Sequence, residues 1–349
     1  MRVKPKLSDF GNVAILQTAF LGDVIISLSF ASAVKRLNPK ANLIFITTPQ
    51  AAPLARICRD IDFTLAFDKR GKHGGVSGAK IFSDEAREYK IDCAISLHKS
   101  LRSTLLIKKI GAKFAVGFSD AAASFLYDAV APRKRHLHES RRNFEALKAF
   151  EIERMPDWKR TKPGFAFSRE IVDSTDAIVS QYGKKKLVVI APGSVWETKR
   201  WGTERFAALA NELVKLGYGV AVMGGEGEKD LCGQVVELAP GAVSFAGKLS
   251  LERSLALIGR SALIVANDSA PTHMANAIGT PAITVFGATS SIFGFYPYGR
   301  NDSILENYDL RCHPCRIHGG RRCPIGTLEC MKSVGVQQAL AAANKILKL

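Results

Sequence analysis

No uninterrupted apolar stretch in this chain of 349 residues reaches the roughly 18–20 residues that a membrane span requires. The N-terminus, MRVKPKLSDFGN, is basic but has no apolar core ahead of a cleavage site, so it does not read as a secretory leader. The expected compartment is therefore the cytoplasm. Also missing are the GxxxxGK[ST] run of a P-loop and the GxGxxG fingerprint of dinucleotide binding. No DxD-type pair stands at the end of an expected strand to suggest an essential divalent ion. There is no low-complexity segment, no short-period repeat and no recognisable nucleic-acid-binding module. Acidic residues are scarce beside basic ones: 32 Asp+Glu against 49 Lys+Arg, a formal charge of +17.

The imbalance is concentrated. Residues 1–160 hold 28 Lys+Arg against 16 Asp+Glu, a net of +12, and the remainder holds 21 against 16, or +5. A basic first half suits an anionic partner such as a nucleic acid, a phosphorylated sugar or a membrane surface. A solvated, solubilising surface would carry the same charge. Hydrophobic content of 47% and charged content of 23% are those of a globular protein, and the length fits two domains.

Strand-like and helix-like pieces alternate. VAILQ, LIFITT (43–48), DCAISLH (92–98) and KFAVGFS (113–119) read as strands of a first parallel sheet flanked by helices. A polar segment with prolines, ERMPDWKRTKPGF (153–165), interrupts the pattern and reads as a linker. The alternation then restarts through KLVVIAPGS, YGVAVMGGEGEKD, ALIVANDS and PAITVFGATS. The fold class expected is α/β, with two Rossmann-like, doubly wound domains facing across a cleft. The expected domains are 1–158, 159–332 and a terminal helix, 333–349, packing on the first domain. Ligands of open α/β sheets bind at the carboxyl ends of the strands, and the unusual residues lie there.

In VAILQTAFLGDVIISL, a single Gly22-Asp23 pair separates the first strand from a helix reading from Val24. A carboxylate there would repel phosphate, and on local grounds Asp23 is a helix N-cap. In the second half, APGSVWETKRW offers Ser194, Lys199 and Arg200 as phosphate donors, with Trp201 as an anchoring aromatic. GGEGEKD places Glu226 where a carboxylate can meet ribose hydroxyls. In NDSAPTHMANA, Asp268, Ser269 and Ala270 open a helix whose free amides and dipole suit an anion, with His273 one turn in. Together the three loops describe one nucleotide-diphosphate pocket.

These blocks, LGDVIISL, APGSVWETKRW, GGEGEKD and NDSAPTHMANAIGTPAITVFGATS, resemble the ordered motifs of glycosyltransferase family 9, the bacterial ADP-heptose:lipopolysaccharide heptosyltransferases. The resemblance implies the GT-B fold and an inverting transfer of heptose from ADP-L-glycero-D-manno-heptose to the lipopolysaccharide inner core, more like the second-heptose enzyme than the first. It implies Asp23 as general base and Lys199 as the cation that neutralises the leaving diphosphate. Ser194, Glu226, Asp268, Ser269, Ala270 and His273 would meet the donor, with Ala270 standing where many members have glycine. LHKSLRS and HLHESRRN resemble the family's basic motifs, where Arg102, Ser103, His138 and Arg142 would meet an anionic Kdo-lipid A-type acceptor. The implied enzyme needs no cofactor, binds no nucleic acid, is a monomer, and sits peripherally on the cytoplasmic face of the inner membrane. Another nucleotide-sugar enzyme of GT-B type, transferase or epimerase, and a basic nucleic-acid-binding α/β protein are the competing readings.

Cys58, Cys93 and Cys232 lie in apolar surroundings and read as core. Cys312, Cys315, Cys323 and Cys330 crowd one segment, CHPCRIHGGRRCPIGTLEC. A C-x2-C half-site suits structural zinc, while free thiols or a redox pair fit the same spacing.

Overall fold

The computed structural model describes residues 4–348, and the chain divides into two compact units, Met1–Ala166 and Phe167–Leu349. In the first unit, β1 (Asn12–Leu16), α1 (Leu21–Leu37), β2 (Asn42–Thr47), α2 (Ala52–Arg56) and β3 (Phe63–Ala66) build one flank. α3 (Gly75–Arg87), β4 (Cys93–Ser96), α4 (Leu101–Ile110), β5 (Phe114–Phe118), β6 (Ala129–Ala131) and α5 (Glu139–Glu145) complete it. The strands run in the order β3-β2-β1-β4-β5-β6, all parallel, with Val13 paired to Leu43 on one side and to Cys93 on the other. This is the strand order of the dinucleotide-binding folds, with its reversal point between β1 and β4.

The second unit repeats the plan. α6 (Arg169–Ser180), β7 (Leu187–Ala191), α7 (Thr203–Lys215), β8 (Gly219–Val222), α8 (Lys229–Leu238) and β9 (Ala242–Ser244) form its first part. α9 (Leu251–Arg260), β10 (Leu263–Asn267), α10 (Ala270–Ile278), β11 (Ala282–Val285), β12 (Ser303–Leu305), α11 (Glu329–Lys332) and α12 (Val336–Leu347) follow. Its parallel sheet runs β12-β11-β10-β7-β8-β9, so its reversal point lies between β7 and β10. Apolar side chains fill both faces of the central strands, which is why these segments read as continuous hydrophobic runs.

Three details differ from the expectation. Residues 159–166 belong to the first unit, to which Arg59 N–H, donating to Gly164 O (2.8 Å), and Ala166 N–H, donating to Ile57 O (2.8 Å), fasten them. α12, expected on the first domain, packs on α7 and the second sheet. Its small Ala339 and Ala343, one turn apart, let it approach closely, and with Leu347 they join the core formed by Val188, Trp201 and Phe206. Trp201 is likewise core, not a ligand anchor: it is 1% exposed, stands edge-to-face on Phe206 and donates from Nε1 to Val334 O at 2.8 Å. Trp201→Ala should destabilise the chain by roughly 3–5 kcal/mol, read as a lower urea midpoint. A loss under about 1 kcal/mol would remove Trp201 from the core it is assigned to.

Candidate active site

In the first unit the polar residues collect where β1 and β4 end. Phe20, in extended conformation, precedes α1 and accepts from Val24 N–H at 3.1 Å. Gly22 and Asp23 therefore stand inside the helix's first turn, three residues earlier than the apolar spacing suggests. Asp23 is half-buried. Burial, and then the negative charge of Glu139, push its carboxyl up to about 7, against the pull of the Phe20 amide and the Arg133 guanidinium. Glu139 is itself 3% exposed and is held by two arginines: Arg133 Nη2 donates to both carboxylate oxygens (2.9 and 2.7 Å) and Arg142 Nη1 to one (2.8 Å). Arg133 Nε is buried without a hydrogen-bond partner. α5 is seated on α1 by Phe144 against Phe30 and by a 3.3 Å contact between the Ser140 and Ser29 hydroxyls.

Of the basic-motif residues, Arg142 turns inward. It is 5% exposed and donates to Glu139 and to the carbonyls of Lys134 and Arg135, so it shapes the 133–139 loop. His138 caps α5, accepting from Ser140 N–H at 3.1 Å, and stacks on Trp158 with centroids 5.0 Å apart. Ser103 lies at the start of α4, where its hydroxyl is 2.8 Å from His98 Nδ1; Thr18 Oγ1 is 3.2 Å from the same nitrogen. Burial, with Lys69 and Lys99 nearby, lowers the His98 pKa to about 4, so the ring is neutral at pH 7. Lys69 donates to Thr18 O (2.6 Å), and exposed Arg102 donates to Lys69 O (3.2 Å). Thr18, Lys69, His98, Arg133 and Glu139 were not singled out from the sequence. The HLHESRRN motif contains Glu139, but its basic character conceals the role of the one acid.

In the second unit the loops after β7 and β10 meet. Lys199 Nζ and Asp268 Oδ2 form a largely buried ion pair at 2.7 Å, and the Thr289 hydroxyl donates to the same carboxylate at 2.8 Å. Two expected donor-binding groups thus bind each other, which fixes the lysine at the strand ends. Asn267 fastens the two loops: its Nδ2 donates to Pro192 O (2.7 Å), and its Oδ1 accepts from Trp201 N–H (3.0 Å). Ser269 precedes α10 and Ala270 begins it, so the positive end of that helix lies beside the Lys199–Asp268 pair. His273, 7% exposed, faces Phe295 at 6.2 Å. Ser194 is 6% exposed, and its carbonyl accepts from Arg200 Nε (3.0 Å) and Nη2 (2.9 Å). Arg200 therefore braces its own loop. Glu226, exposed, pairs with Lys229. Glu228, which sequence reasoning passed over, lies so close to Gly193 that a Cβ there would meet its carboxylate.

The cysteine segment packs against this loop. Thr198 N–H donates to Gly320 O (3.1 Å) and Gly320 N–H to Thr198 Oγ1 (2.8 Å), while Gly319, at φ +80°, lies on Lys199 and Trp196. Cys312, Cys315, Cys323 and Cys330, all free thiols, line one cavity of about 30 Å³ with Thr198. Backbone amides, led by that of Leu328, lower the Cys323 pKa, whereas burial raises Cys330 to about 11. The four lie at different depths, from exposed Cys312 to buried Cys330. Among the described residues no group of three or more His, Cys, Asp or Glu stands in metal-ligating geometry.

Two Rossmann-like units of this kind, each with polar residues at its strand-order reversal, make the chain a GT-B protein. Residues 82–323 match the model of glycosyltransferase family 9 (heptosyltransferase), and the chain belongs to that family. It is 25% identical over 293 residues to lipooligosaccharide heptosyltransferase 2 of Haemophilus influenzae, covering 80% of this chain and 84% of the relative. The glycosyl transferase family 9 structure from Veillonella parvula superposes with a TM-score of 0.85 at 23% identity, covering 99% of both chains. The E. coli ADP-heptose lps heptosyltransferase II superposes with a TM-score of 0.78 at 18% identity, covering 97% of this chain and 98% of that one. The protein is a glycosyltransferase.

The Asp23 carboxyl supplies a stability test. An ordinary aspartate has a pKa near 3.8, and the folded one is raised to about 7, so between these values the folded chain holds a proton that the unfolded chain has released. Stability is therefore lost as pH rises through that window. Asp23→Asn lacks this loss. Its thermal midpoint should rise relative to the parent as pH passes from below 4 to above 7, and a difference independent of pH would overturn the assignment of the raised pKa.

Proposed function

We propose that this chain is an inverting heptosyltransferase that moves heptose from ADP-L-glycero-D-manno-heptose to the lipopolysaccharide inner core, adding the second heptose. The observation that carries the reading is Asp23, a carboxyl at the reversal point of the first sheet whose proton affinity is raised to about 7. A general base works best when its pKa lies near the working pH. The carboxylate would take the proton of an acceptor hydroxyl as that oxygen attacks the anomeric carbon. The new C–O bond would form on the face opposite the breaking bond to the diphosphate, which inverts the anomeric centre.

The departing ADP gains negative charge, and the second unit offers Lys199 and the amino end of α10 to receive it. Asp268 holds the lysine in place, and Ser194 and Ser269 belong to the same two loops. Glu226 is assigned to the ribose hydroxyls. The donor and second-heptose assignments agree with the names of the H. influenzae and E. coli relatives. In the first unit, exposed Arg102 and the half-buried Lys69 offer cations to the phosphorylated acceptor.

Three measurements test this reading. In a thermal-shift panel of ADP, UDP, GDP and CMP, ADP should stabilise the chain selectively; a UDP preference would move the donor elsewhere. Asp23→Asn should lower transfer by about 10²–10⁴-fold and leave the ADP shift intact, and near-normal turnover would refute the base. Glu139→Gln removes the charge that, after burial, raises the Asp23 pKa, so the acid limb of the rate profile should move below 7. An unmoved limb would separate Glu139 from the base.

A further inference from the structure

The turn that leads into α1 carries an aromatic ring beside the candidate base. Phe20 is 57% exposed, and its place sets it apart from an apolar side chain scattered on a surface. Its amide donates to the Asp23 carboxyl. This is the returning half of a capping box, in which the third residue of a helix reaches back to the residue that precedes it. The phenyl ring hangs on the Cα next to that nitrogen. A hydroxyl that gives its proton to Asp23 therefore lies within reach of the ring.

The backbone that bears the ring is tied down on both sides. Thr18 O accepts from Lys69 Nζ (2.6 Å), and Ala19 N–H donates to Gln17 Oε1 (3.2 Å). Phe20 O accepts from Val24 N–H (3.1 Å). An exposed aromatic on a loose loop can fold back onto the surface, whereas one on a tied turn is presented in one place. Such a ring loses little freedom when something binds to it.

What the ring meets follows from its neighbours. The face of an aromatic ring is negative and attracts C–H groups made positive by an adjoining oxygen. A pyranose offers that chemistry, with an apolar face of C–H bonds and hydroxyls around its edge. The edge needs polar partners, and His98 supplies one at the neighbouring strand end. It is partly exposed and neutral at pH 7. Ser103 and Thr18 orient it through Nδ1, and Thr18 belongs to the same turn as Phe20. A nucleobase would also stack, but the Asp23 carboxylate beside the ring repels the phosphates that come with it.

We propose that Phe20 is the platform on which the acceptor sugar stacks, with the attacking hydroxyl turned towards Asp23. The inference deepens the heptosyltransfer reading and rests on it for the identity of the acceptor. Stacking fixes the plane of the sugar ring, and the plane decides which hydroxyl meets the carboxyl. Phe20 thus determines specificity and takes no part in the making or breaking of bonds.

The test uses a heptosyl-Kdo oligosaccharide freed of its acyl chains, so that no lipid contact contributes. Phe20→Ala should raise the KM for this acceptor about tenfold and weaken its binding equally. Its kcat should stay within about threefold of the parent's, and its thermal shift with ADP should be unchanged. Phe20→Trp should restore the parental KM. Phe20→Leu, apolar but without a π face, should stay near Phe20→Ala. The acid limb of the rate profile should not move, because the amide on Asp23 is backbone and survives each substitution. An acceptor KM unchanged in Phe20→Ala, or fully restored in Phe20→Leu, would overturn the proposal. So would a moved acid limb, since the ring would then act through the shape of the turn, or a raised donor KM in place of the acceptor's. A parent that transfers heptose while Phe20→Ala matches it refutes the platform alone. A parent that neither transfers to the oligosaccharide nor binds it refutes the platform and the heptosyltransfer reading together.

Discussion

The ion cluster of Arg133, Glu139 and Arg142 is the interaction on which the candidate site of the first unit depends. A carboxylate 3% exposed stays charged only if its lost hydration is replaced, and here three charge-assisted bonds from two guanidinium groups replace it. That fixed negative charge then acts on Asp23, one helix away, and raises its proton affinity together with burial. Arg133 opposes the effect from the same cluster. The Asp23 carboxyl is tuned by two neighbours of opposite sign that are themselves bonded together, so removing either one shifts both the packing of α5 and the proton affinity at α1.

Much of this was legible in the sequence. The central strands read correctly because each is buried on both faces and is therefore an unbroken apolar run. The edge strands did not: FTLA, AVA, AVS and SIL are three or four residues long and only partly buried, so neither length nor periodicity marks them. The start of α1 was misplaced because a helix's first turn is set by backbone capping at Phe20, while the apolar spacing begins only where the helix meets the core. α12 has the same helical period whichever unit it covers. Only the fit of Ala339 and Ala343 against α7 decides its place.

The site residues divide in the same way. Strand-end position singled out Asp23, Lys199, Asp268 and Ser194, since chemistry at a carboxyl edge requires only that the strands be found. What the sequence could not give is which of them touch. Lys199 and Asp268 are far apart in the chain, and their ion pair exists because β7 and β10 are neighbours at the reversal of strand order. Arg142 and Trp201 looked functional by residue type and proved to be internal, for a shared reason. A long side chain next to a functional loop is often what holds that loop, and the bonds from Arg142 to two carbonyls and from Trp201 to Val334 do that.

The Lys199–Asp268 pair also constrains how a diphosphate could be stabilised. At 2.7 Å the two charges largely cancel at a distance, so the lysine cannot act as a bare cation. It can still donate, because an ammonium has three N–H bonds and the pair uses one direction. The Thr289 hydroxyl draws on the same carboxylate, which lessens the carboxylate's hold on the lysine. Stabilisation of a leaving group would then come from directed donors, the lysine and the first-turn amides of α10, fixed before the reaction begins. Fixed dipoles need no reorganisation as charge develops. On this account the reciprocal bonds between Thr198 and Gly320, and the close seat of Gly319 on Lys199, matter as much as the charge, since they hold the donor at one address.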